Sequence, residues 1–533
     1  MKQMSWRVVL FALAVPVLAV ALASWLTTAR GPFFLGSNSE PSYIYLLNGL
    51  GILEGHSPNH TDHPGTPLQA VIAVIVAATY ALSGTGGMVR SVLTEPERYL
   101  NVIQFVFGAG CIAALFATGV AVYRSTRSLV CVAFMQLAPF FSVQAALAFL
   151  WVKPESWLLC LGLAQSCMLL HLALNPKSLD SDKTARWLGV LTGVGLAVKA
   201  TFLPMVFIPL IVLKSWRLRL LSAKWAAVAL LISLLPILPR ARQVARWFVL
   251  LTIRKGTYGT GEYGLVESSS LLPALKTLVA LEPVFFGLLA VTWLIWLVLR
   301  SRTSLHADPR FGGAMRIMLA ICVAATTQIL FTLKRPQAHY MFPAMMLVGA
   351  QALIAGRLFT RALQENTTHP ARLLAWRVAV PVLLITLCGL LWGGSETARW
   401  QRELTVQRDS SLPLAQKIAP ACAEGSVVCC FRCSLPVYAL NLGNDFCGKF
   451  FSPQLAEVYP REVFYNVWTK TFHTFGAVLT EQDIVKLAAE RPLYFAGSPW
   501  EINPPDAKPQ KLSFELNASG GVGEVLYLAR PAP

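Results

Sequence analysis

The chain has 533 residues, of which 55% are hydrophobic and only 14% are charged, and its mean hydropathy is +0.55. An ordinary soluble domain has about 25% charged residues, so these values exclude a soluble enzyme and a disordered chain. The net charge of +18 comes entirely from residues 1–393, which hold 32 basic and 13 acidic residues between apolar segments. That distribution is typical of the cytoplasmic loops of a multi-pass membrane protein, and it argues against a nucleic-acid partner.

Apolar runs close to the length that crosses a bilayer, about 20 residues, recur along the first part of the chain. The clear runs are 8–29, 99–122, 128–149, 156–174, 222–239, 276–299, 315–333, 340–356 and 374–393. Two segments are ambiguous, because 67–84 is short and 187–213 is interrupted at Lys199. Either 67–84 spans and 187–213 is one helix, or 67–84 is an external or re-entrant helix and 187–213 is two short helices meeting near Lys199. The second solution is favoured because it leaves Arg124 and Arg127 on the cytoplasmic side.

Both solutions predict a polytopic α-helical protein of the plasma (inner) membrane with about eleven spans. Lys2 and Arg7 precede the first run, and they place the N-terminus in the cytoplasm if this run is an uncleaved anchor. The anchor is favoured because the apolar stretch reaches Ala29, and a signal peptide cleaved after Ala21-Leu22-Ala23 is the alternative. Everything after residue 393 is then extracytoplasmic. The predicted domains are therefore a membrane domain, 1–393, and a soluble domain, 394–533.

The soluble domain is predicted to be an α/β module. Its apolar runs with β character are 427–431, 492–495 and 525–528, and helix-like sequence lies around 480–490. It contains five of the eleven cysteines, which are Cys422, Cys429, Cys430, Cys433 and Cys447. On the outer face of a membrane this density favours one or two disulfides. A zinc site using the C-x-x-C spacing of Cys430 and Cys433 is the alternative.

The first external segment, 30–66, carries a concentration of side chains suited to acid–base chemistry. It holds Glu40, Glu54 and Asp62, although there are only thirteen acids in residues 1–393. A partly desolvated carboxylate has the raised pKa that suits a general base, so Glu40 is the first candidate and Asp62 the second. The alternative for Glu40 is a carboxylate that only stabilises a helix start, since Pro41 follows it.

The same segment contains three of the eight histidines, which are His56, His60 and His63. Imidazole and carboxylate ligands suit zinc or manganese, so a divalent-metal site formed with Asp62 is an alternative to a metal-free site. Solvated loop histidines are the more ordinary interpretation of this pattern.

A set of short motifs follows in a fixed order along residues 30–350. They are Glu40 with Tyr43, Asp62-His63-Pro64 with Pro67-Leu68, Arg98-Tyr99, Lys153-Pro154-Glu155, a glycine-rich run ending in Lys199, and His339-Tyr340 with Pro343. This order resembles the protein O-mannosyltransferases and the lipid A aminoarabinose transferases, which are glycosyltransferase family 39-like enzymes of the GT-C class. The chain departs from the family pattern where Ser39 stands before Glu40, where Asp62 abuts His63, where Gly65-Thr66 interrupts the prolines, and where Glu155 replaces an Asp.

The resemblance implies a hexosyltransferase-like membrane enzyme with a GT-C fold. Such an enzyme transfers a sugar, with inversion, from a polyprenyl-phosphate donor to a lipid, glycan or protein acceptor at the outer face of the membrane. Glu40 would act as the base, with Asp62 as the second candidate. The residues that would contact substrates by this resemblance are Tyr43, His63, Arg98, Glu155, Lys199, His339 and Tyr340.

A lipid-phosphate leaving group needs cations placed where negative charge develops. The external candidates are Arg98, Arg254, Lys255, Lys334, Arg335 and His339. The segment from Arg254 through Tyr258 and Glu262 to Gly264 is rich in glycine, which lets backbone amides approach a phosphate. For this segment the alternative is an ordinary flexible loop, and for Lys334 and Arg335 it is snorkelling at a helix end.

Two other function classes stay open at this point: a transporter or lipid flippase, and a polymerase or ligase of surface polysaccharide. Transport sites lie near mid-membrane, whereas most charged residues here lie between the apolar runs. Lys199 is the feature that fits a transport site.

Overall fold

A computed structural model of the chain describes residues 5–35, 39–61, 65–255, 261–264, 268–302, 308–365, 371–430, 432–466, 469–497, 509, 511–520 and 523–532. The α-helices are Trp6–Arg30, Ser39–Leu53, Thr66–Ser83, Met88–Thr94, Pro96–Thr126, Leu129–Leu137, Val143–Leu147, Glu155–Leu174, Asp182–Val198, Phe207–Val212, Trp216–Ser233, Ala241–Ile253, Ser268–Leu281, Pro283–Leu299, Pro309–Thr332, Phe342–Met345, Val348–Glu365, Ala371–Glu424, Pro436–Phe446, Ser452–Val458 and Glu481–Glu490. Short 3₁₀ helices lie at Ala138–Phe141, Pro176–Ser178, Ala200–Val206, Leu235–Arg240 and Ala338–Tyr340.

Several helices begin where the sequence supplies a capping residue. Ser128, Ser181 and Ser215 each accept a backbone N–H bond from the third residue beyond, which satisfies a donor that the first turn leaves free. Pro96 and Pro283 occupy the first helical position, where a missing N–H costs nothing.

Within the described residues, five helices are long and apolar enough to cross a bilayer: Trp6–Arg30, Thr66–Ser83, Pro96–Thr126, Glu155–Leu174 and Pro309–Thr332. Two further pairs reach that length only together and are bent at their junctions, by 81° for Trp216–Ser233 with Leu235–Ile253 and by 103° for Ser270–Leu281 with Pro283–Leu299. These apolar helices confirm an integral membrane protein. The number of about eleven spans stays a prediction, and the doubtful segment 67–84 has the length and composition of a span.

The glycine-rich helix Asp182–Val198 ends at Lys199, and Ala200–Val206 and Phe207–Val212 continue in a new direction. The break near Lys199 agrees with the favoured solution, whereas its other part, an external or re-entrant helix at 67–84, stays a prediction. The glycines serve packing, since a Cβ on Gly189 would lie 2.2 Å from the carbonyl oxygen of Ser222, and one on Gly193 would lie 2.2 Å from that of Ala226. Only glycine allows the two helix backbones to approach this closely.

The last long helix, Ala371–Glu424, has 54 residues and continues without interruption past residue 393. It leads into the strands β1 Ser426–Cys429, β2 Val463–Asn466, β3 Thr471–His473, β4 Val478–Leu479, β5 Leu493–Gly497, β6 Leu512–Ser519 and β7 Val525–Pro531. They form one sheet in the order β4-β3-β2-β1-β5-β7-β6. β1 is parallel to β2 and β5, and the other pairs are antiparallel. The predicted β runs and the helix near 480–490 are confirmed.

The expected disulfides are not formed among the described cysteine side chains. Cys429, Cys430, Cys433 and Cys447 are buried, and none of them is paired with another described cysteine in a disulfide. The side chain of Cys422 lies outside the described residues. The Cys433 thiol is hydrogen-bonded to that of Cys429, and this contact together with burial raises the pKa of Cys433. These cysteines act as small apolar core residues, a role that their number alone did not distinguish from cross-linking.

The sheet region packs directly on the helix Ser39–Leu53. Pro436–Phe446 lies against Ser39–Leu53, and a Cβ on Gly443 would lie 2.9 Å from the carbonyl oxygen of Tyr43. The Tyr459 hydroxyl donates to the Leu93 carbonyl at 2.9 Å. One continuous hydrophobic core therefore includes residues of both regions.

Candidate active site

A buried ion pair lies where two helices end. Glu155 is the first residue of Glu155–Leu174, and Lys199 follows the last residue of Asp182–Val198. Lys199 Nζ donates to Glu155 Oε1 at 2.6 Å, and the two side chains are 5% and 4% exposed. The second oxygen, Glu155 Oε2, has no hydrogen-bond partner within the described part of the chain. A buried ion pair is rarely kept for stability alone, so this placement indicates a functional role.

Further basic side chains surround the pair. Lys199 Nζ lies 5.2 Å from the centroid of the Tyr340 ring, and the guanidinium carbon of Arg335 lies 5.7 Å from the same centroid. The His339 ring stacks obliquely on Tyr340 with centroids 4.1 Å apart. We call Lys153, Lys199, Arg335 and His339, with Glu155, the cationic cluster.

Besides burial, the charges of these groups shift one another's pKa values. Burial lowers the pKa of Lys153, Glu155 opposes that shift, and Lys199 adds to it. Burial, followed by the charge of Lys199, lowers the pKa of His339 to about 3, so His339 is neutral near pH 7. Lys153 and Lys199 therefore both act on the carboxylate of Glu155, and Arg335 acts on the adjacent His339. This excess of positive over negative charge is the environment that an anionic ligand would neutralise.

A second polar group surrounds Tyr43. Its hydroxyl donates to Glu97 Oε1 at 2.8 Å, and the Phe33 backbone N–H donates to Glu97 Oε2 at 2.9 Å. Burial, and then the neighbouring Glu97 carboxylate, raise the pKa of Tyr43 well above its usual value. Arg30 lies over the Phe33 ring at 3.5 Å and donates to the Leu150 carbonyl.

The loop before Glu155 joins the two groups. The Val152 N–H donates to Ser42 Oγ at 3.4 Å, and Lys153 follows Val152. The start of Ser39–Leu53 is thus in contact with the segment that carries the cationic cluster. Glu40 is the second residue of that helix, and its side chain lies outside the described residues.

Three other predicted site residues, Asp62, His63 and Tyr258, also lie outside the described residues. The other two histidines of the predicted metal site are used in aromatic packing. His60 contacts the rings of Tyr45 and Phe446, and burial lowers its pKa to about 4. His56 stacks on Phe450 at 4.2 Å. Among the residues that the structure describes, no three His, Cys, Asp or Glu side chains form a group that could hold a metal ion.

The described ends of the predicted phosphate-binding loop, 254–255 and 261–264, pair with each other as the two arms of a hairpin. Arg254 is bridged to Tyr263 and lies 5.1 Å from its ring, while the Lys255 N–H donates to the Glu262 carbonyl at 2.8 Å. Lys334 Nζ donates to the carbonyl of Leu251, which lies in the helix Ala241–Ile253 just before the hairpin. This bond joins the loop that contains Lys334 to that helix. Lys334 is therefore near the hairpin, whereas the adjacent Arg335 belongs to the cationic cluster.

Arg98 has partners of its own. It pairs with Glu95 at 2.9 Å and donates to the Ser83 carbonyl at 2.7 Å. No contact within the described residues joins it to Lys199. Its predicted role in substrate binding stays a prediction.

Three residues of these groups were not predicted from the sequence: Arg30, Glu97 and Lys153. Glu97 is one of the thirteen acids of the membrane region. It lies next to Arg98, which was predicted as a substrate-binding residue in its place. Lys153 lies two residues before Glu155 and resembles a family basic position. Charged residues are rare in this region, and their rarity was the signal from which Glu97 and Lys153 could both have been predicted as site residues.

The structure is similar to two crystal structures of ArnT from Cupriavidus metallidurans, one in the apo state and one bound to undecaprenyl phosphate. The identities are 16% and 15%, the TM-scores are 0.53 and 0.52, and each comparison covers 96% of this chain and 97% of the other. No protein-family model matches the chain, and no curated protein matches it in sequence. ArnT has the GT-C fold, so the predicted GT-C-like membrane fold with a C-terminal sheet is confirmed.

Proposed function

We propose that the chain is a membrane glycosyltransferase that transfers a sugar from a polyprenyl-phosphate-linked donor to an acceptor at the outer face of the plasma membrane. The observation that carries the proposal is the cationic cluster, where the buried Lys199 and the half-buried Lys153 and Arg335 surround the single buried carboxylate of Glu155. The ArnT structure with bound undecaprenyl phosphate supports a ligand of this kind in the same fold.

The reaction needs a base on the acceptor side and cations on the donor side. Glu40, with Asp62 as the second candidate, takes the proton of the acceptor hydroxyl as its oxygen attacks the anomeric carbon. The bond from that carbon to the phosphate oxygen breaks on the opposite face, which inverts the configuration. Lys153, Lys199 and Arg335 stabilise the charge left on the lipid phosphate. The carboxylate of Glu155 holds the Lys199 ammonium in place.

The first test removes the base and a cation separately. We expect Glu40→Gln to lower transfer from a polyprenyl-phosphate-linked sugar by about 10²–10⁴-fold, and Arg335→Gln to lower it by about 10²-fold. Arg335 is preferred to Lys199 because Lys199 is bonded to the buried Glu155 carboxylate, which its loss would leave without that cation.

Lys177→Gln, on an exposed lysine of the Pro176–Ser178 turn, is the matched control and should keep full activity. Wild-type turnover in Glu40→Gln would remove Glu40 as the base, and Asp62→Asn then tests the second candidate. Wild-type turnover in Arg335→Gln would remove the cationic cluster from donor binding.

A transporter is the second candidate function, because Lys199 and Glu155 are buried and intramembrane charges commonly mark transport paths. Proteoliposomes distinguish the two functions. Substrate uptake without cleavage of the sugar–phosphate bond would favour transport, and cleavage without uptake would favour transfer.

A further inference from the structure

Glu97 is bonded to two segments that lie on either side of the predicted base. Its Oε1 accepts the hydrogen bond of the Tyr43 hydroxyl at 2.8 Å, and its Oε2 accepts that of the Phe33 backbone N–H at 2.9 Å. Glu40 lies between Phe33 and Tyr43 in the chain. A single carboxylate therefore holds the chain both before and after the base.

Glu97 is itself carried by a membrane helix. It is the second residue of Pro96–Thr126, one of the described helices that are long and apolar enough to cross a bilayer. The buried Arg30, the last residue of the first helix, is close enough to act on this carboxylate by its charge. An acid in a first helical turn commonly interacts only with the helix dipole. Glu97 does more, because both of its oxygens bind groups from other segments.

The two bonds to Glu97 are costly to lose. Phe33 and Tyr43 are fully buried, so without the carboxylate a backbone N–H and a phenol hydroxyl would lack these partners in the interior. Both carboxylate oxygens act as acceptors, as they do in the ionised form, and bonds to a charged acceptor are the stronger kind. These contacts therefore restrain the first turn of Ser39–Leu53 firmly.

The same turn is also held from a second side. The Val152 N–H donates to Ser42 Oγ at 3.4 Å, and Lys153 of the cationic cluster follows Val152. Ser42 and Tyr43 are neighbours in the chain, so one turn contacts both Glu97 and the loop before Glu155. The position of the Glu40 backbone relative to the cationic cluster depends on both contacts.

That position matters for a displacement at carbon. In the proposed reaction the base and the cations act on opposite sides of the anomeric carbon, so their separation must suit the reacting atoms. A misplacement of about 1 Å can lower a rate about 10²-fold. Tyr43 lies about one turn beyond Glu40 in the same helix, and a shift of Tyr43 therefore moves Glu40 with it.

We propose that Glu97 is a positioning residue for the transfer reaction, which by holding Phe33 and Tyr43 fixes the first turn of Ser39–Leu53 and the backbone of Glu40. The proposal rests on the proposed transferase function. Glu97 touches neither substrate in this role, and it acts through Tyr43 and the helix start.

Turnover of a polyprenyl-phosphate-linked sugar by the purified full-length protein is the first test. We expect Glu97→Leu to lower kcat about 10²-fold, because the base is displaced from the reacting hydroxyl. The KM for the donor should stay close to the wild-type value, because the cationic cluster is unchanged. Wild-type kcat, or a loss confined to KM, would overturn the proposal. If Glu97→Leu does not fold, Tyr43→Phe removes one of the two bonds and should lower kcat about tenfold.

Glutamine at this position separates placement from charge. Its carbonyl oxygen can accept the Phe33 N–H bond while its amide donates to the Tyr43 hydroxyl oxygen, so Glu97→Gln can keep both contacts. We expect Glu97→Gln to have a kcat at least about tenfold above that of Glu97→Leu. An equal loss in the two variants would show that Glu97 acts through its charge, and it would contradict a positioning role.

A double variant tests whether Glu97 acts through Tyr43. Tyr43→Phe combined with Glu97→Leu should be no slower than Glu97→Leu alone, because the bond between the two side chains is already absent. Losses that multiply would show independent roles and contradict the proposal. Glu54→Leu, at an exposed acid just after the other end of Ser39–Leu53, is the matched control and should keep full activity.

Hydrogen–deuterium exchange of the full-length protein separates this proposal from the transferase function, because it needs no turnover. Peptides covering residues 39–46 should exchange at least about tenfold faster in Glu97→Leu than in the wild type or Glu54→Leu, since the helix start has lost its bonds to Glu97. Unchanged exchange would contradict the proposal even where transfer is observed. If the wild type transfers no sugar, the transferase function fails, and faster exchange still shows that Glu97 fixes the helix start.

Discussion

The ion pair of Lys199 and Glu155 shows how a single residue acquires its function from its surroundings. Each side chain is almost fully buried, and the pair is placed among Lys153, Arg335 and His339. The family resemblance pointed to Glu155, Lys199 and His339 individually, and the search for external cations pointed to Arg335. It did not show that they share one cluster, because the distances between segments far apart in the chain depend on how the helices pack. It also missed Glu97, because the sequence alone does not distinguish a functional carboxylate from an acid that only stabilises the start of a helix.

His339 makes stability depend on pH. Its pKa is about 3 in the folded protein, whereas an unfolded histidine has a pKa of about 6.5. Between these values the unfolded chain binds a proton that the folded chain does not, so the free energy of unfolding falls as the pH falls. From pH 7 to pH 5 the loss due to His339 is up to about 2 kcal/mol. We expect the thermal midpoint of His339→Gln to fall less over this range than that of the wild type.

Thermal inactivation of the purified protein at both pH values checks this. His171→Gln is the control, because His171 is exposed, and it should follow the wild type. An identical pH dependence in His339→Gln and wild type would show that His339 is not buried in a neutral state.

At the scale of elements, the helix Asp182–Val198 illustrates what a pattern predicts and what it leaves open. The interruption at Lys199 predicted the helix end, because a charge followed by Pro204 does not continue an apolar helix. The glycines before it were interpreted only through resemblance. The structure gives their physical reason, which is close contact with the helix Trp216–Ser233. Such a contact depends on the partner helix, which no local pattern identifies.

We predict that Gly193→Val destabilises the protein by about 1–3 kcal/mol or more, because its side chain has no space against Ala226. Activity should fall with it, since the displaced helix ends at Lys199. Gly108→Ala is the matched control, because Gly108 lies in a helix with open space around it, and alanine there should stabilise by about 1 kcal/mol. Thermal midpoints of the two variants decide the matter, and a tolerated Gly193→Val would contradict the packing.

At the scale of the whole molecule, composition and charge predicted a multi-pass membrane protein, the apolar β-type runs predicted an α/β domain after residue 393, and the family resemblance implied a GT-C-like fold. The helical membrane region, the C-terminal sheet and the GT-C-like fold are confirmed. Sidedness follows from the positive-inside rule and stays a prediction. It places Gly55 and Gly264 outside and the exposed turn at Lys177 inside.

Cysteine labelling of intact cells tests this orientation. Above the background of the native cysteines, Gly55→Cys and Gly264→Cys should react with a membrane-impermeant reagent. Lys177→Cys should react only after the membrane is opened. Protection of either glycine position in intact cells would reverse the orientation and, with it, the face on which the acceptor is bound.

The long helix Ala371–Glu424 has a consequence for how ligands enter. Arg408 donates to the Thr28 carbonyl near the end of the first helix, and sixteen residues then continue to Glu424, a rise of about 24 Å. The sheet is thus carried away from the first helix, while Pro436–Phe446 returns to contact Ser39–Leu53. This contact covers the face of Ser39–Leu53 that the sheet region meets. We expect a polyprenyl-linked donor, whose lipid chain stays in the bilayer, to arrive sideways along the plane of the membrane, a path that selects amphiphilic molecules before any side chain recognises them.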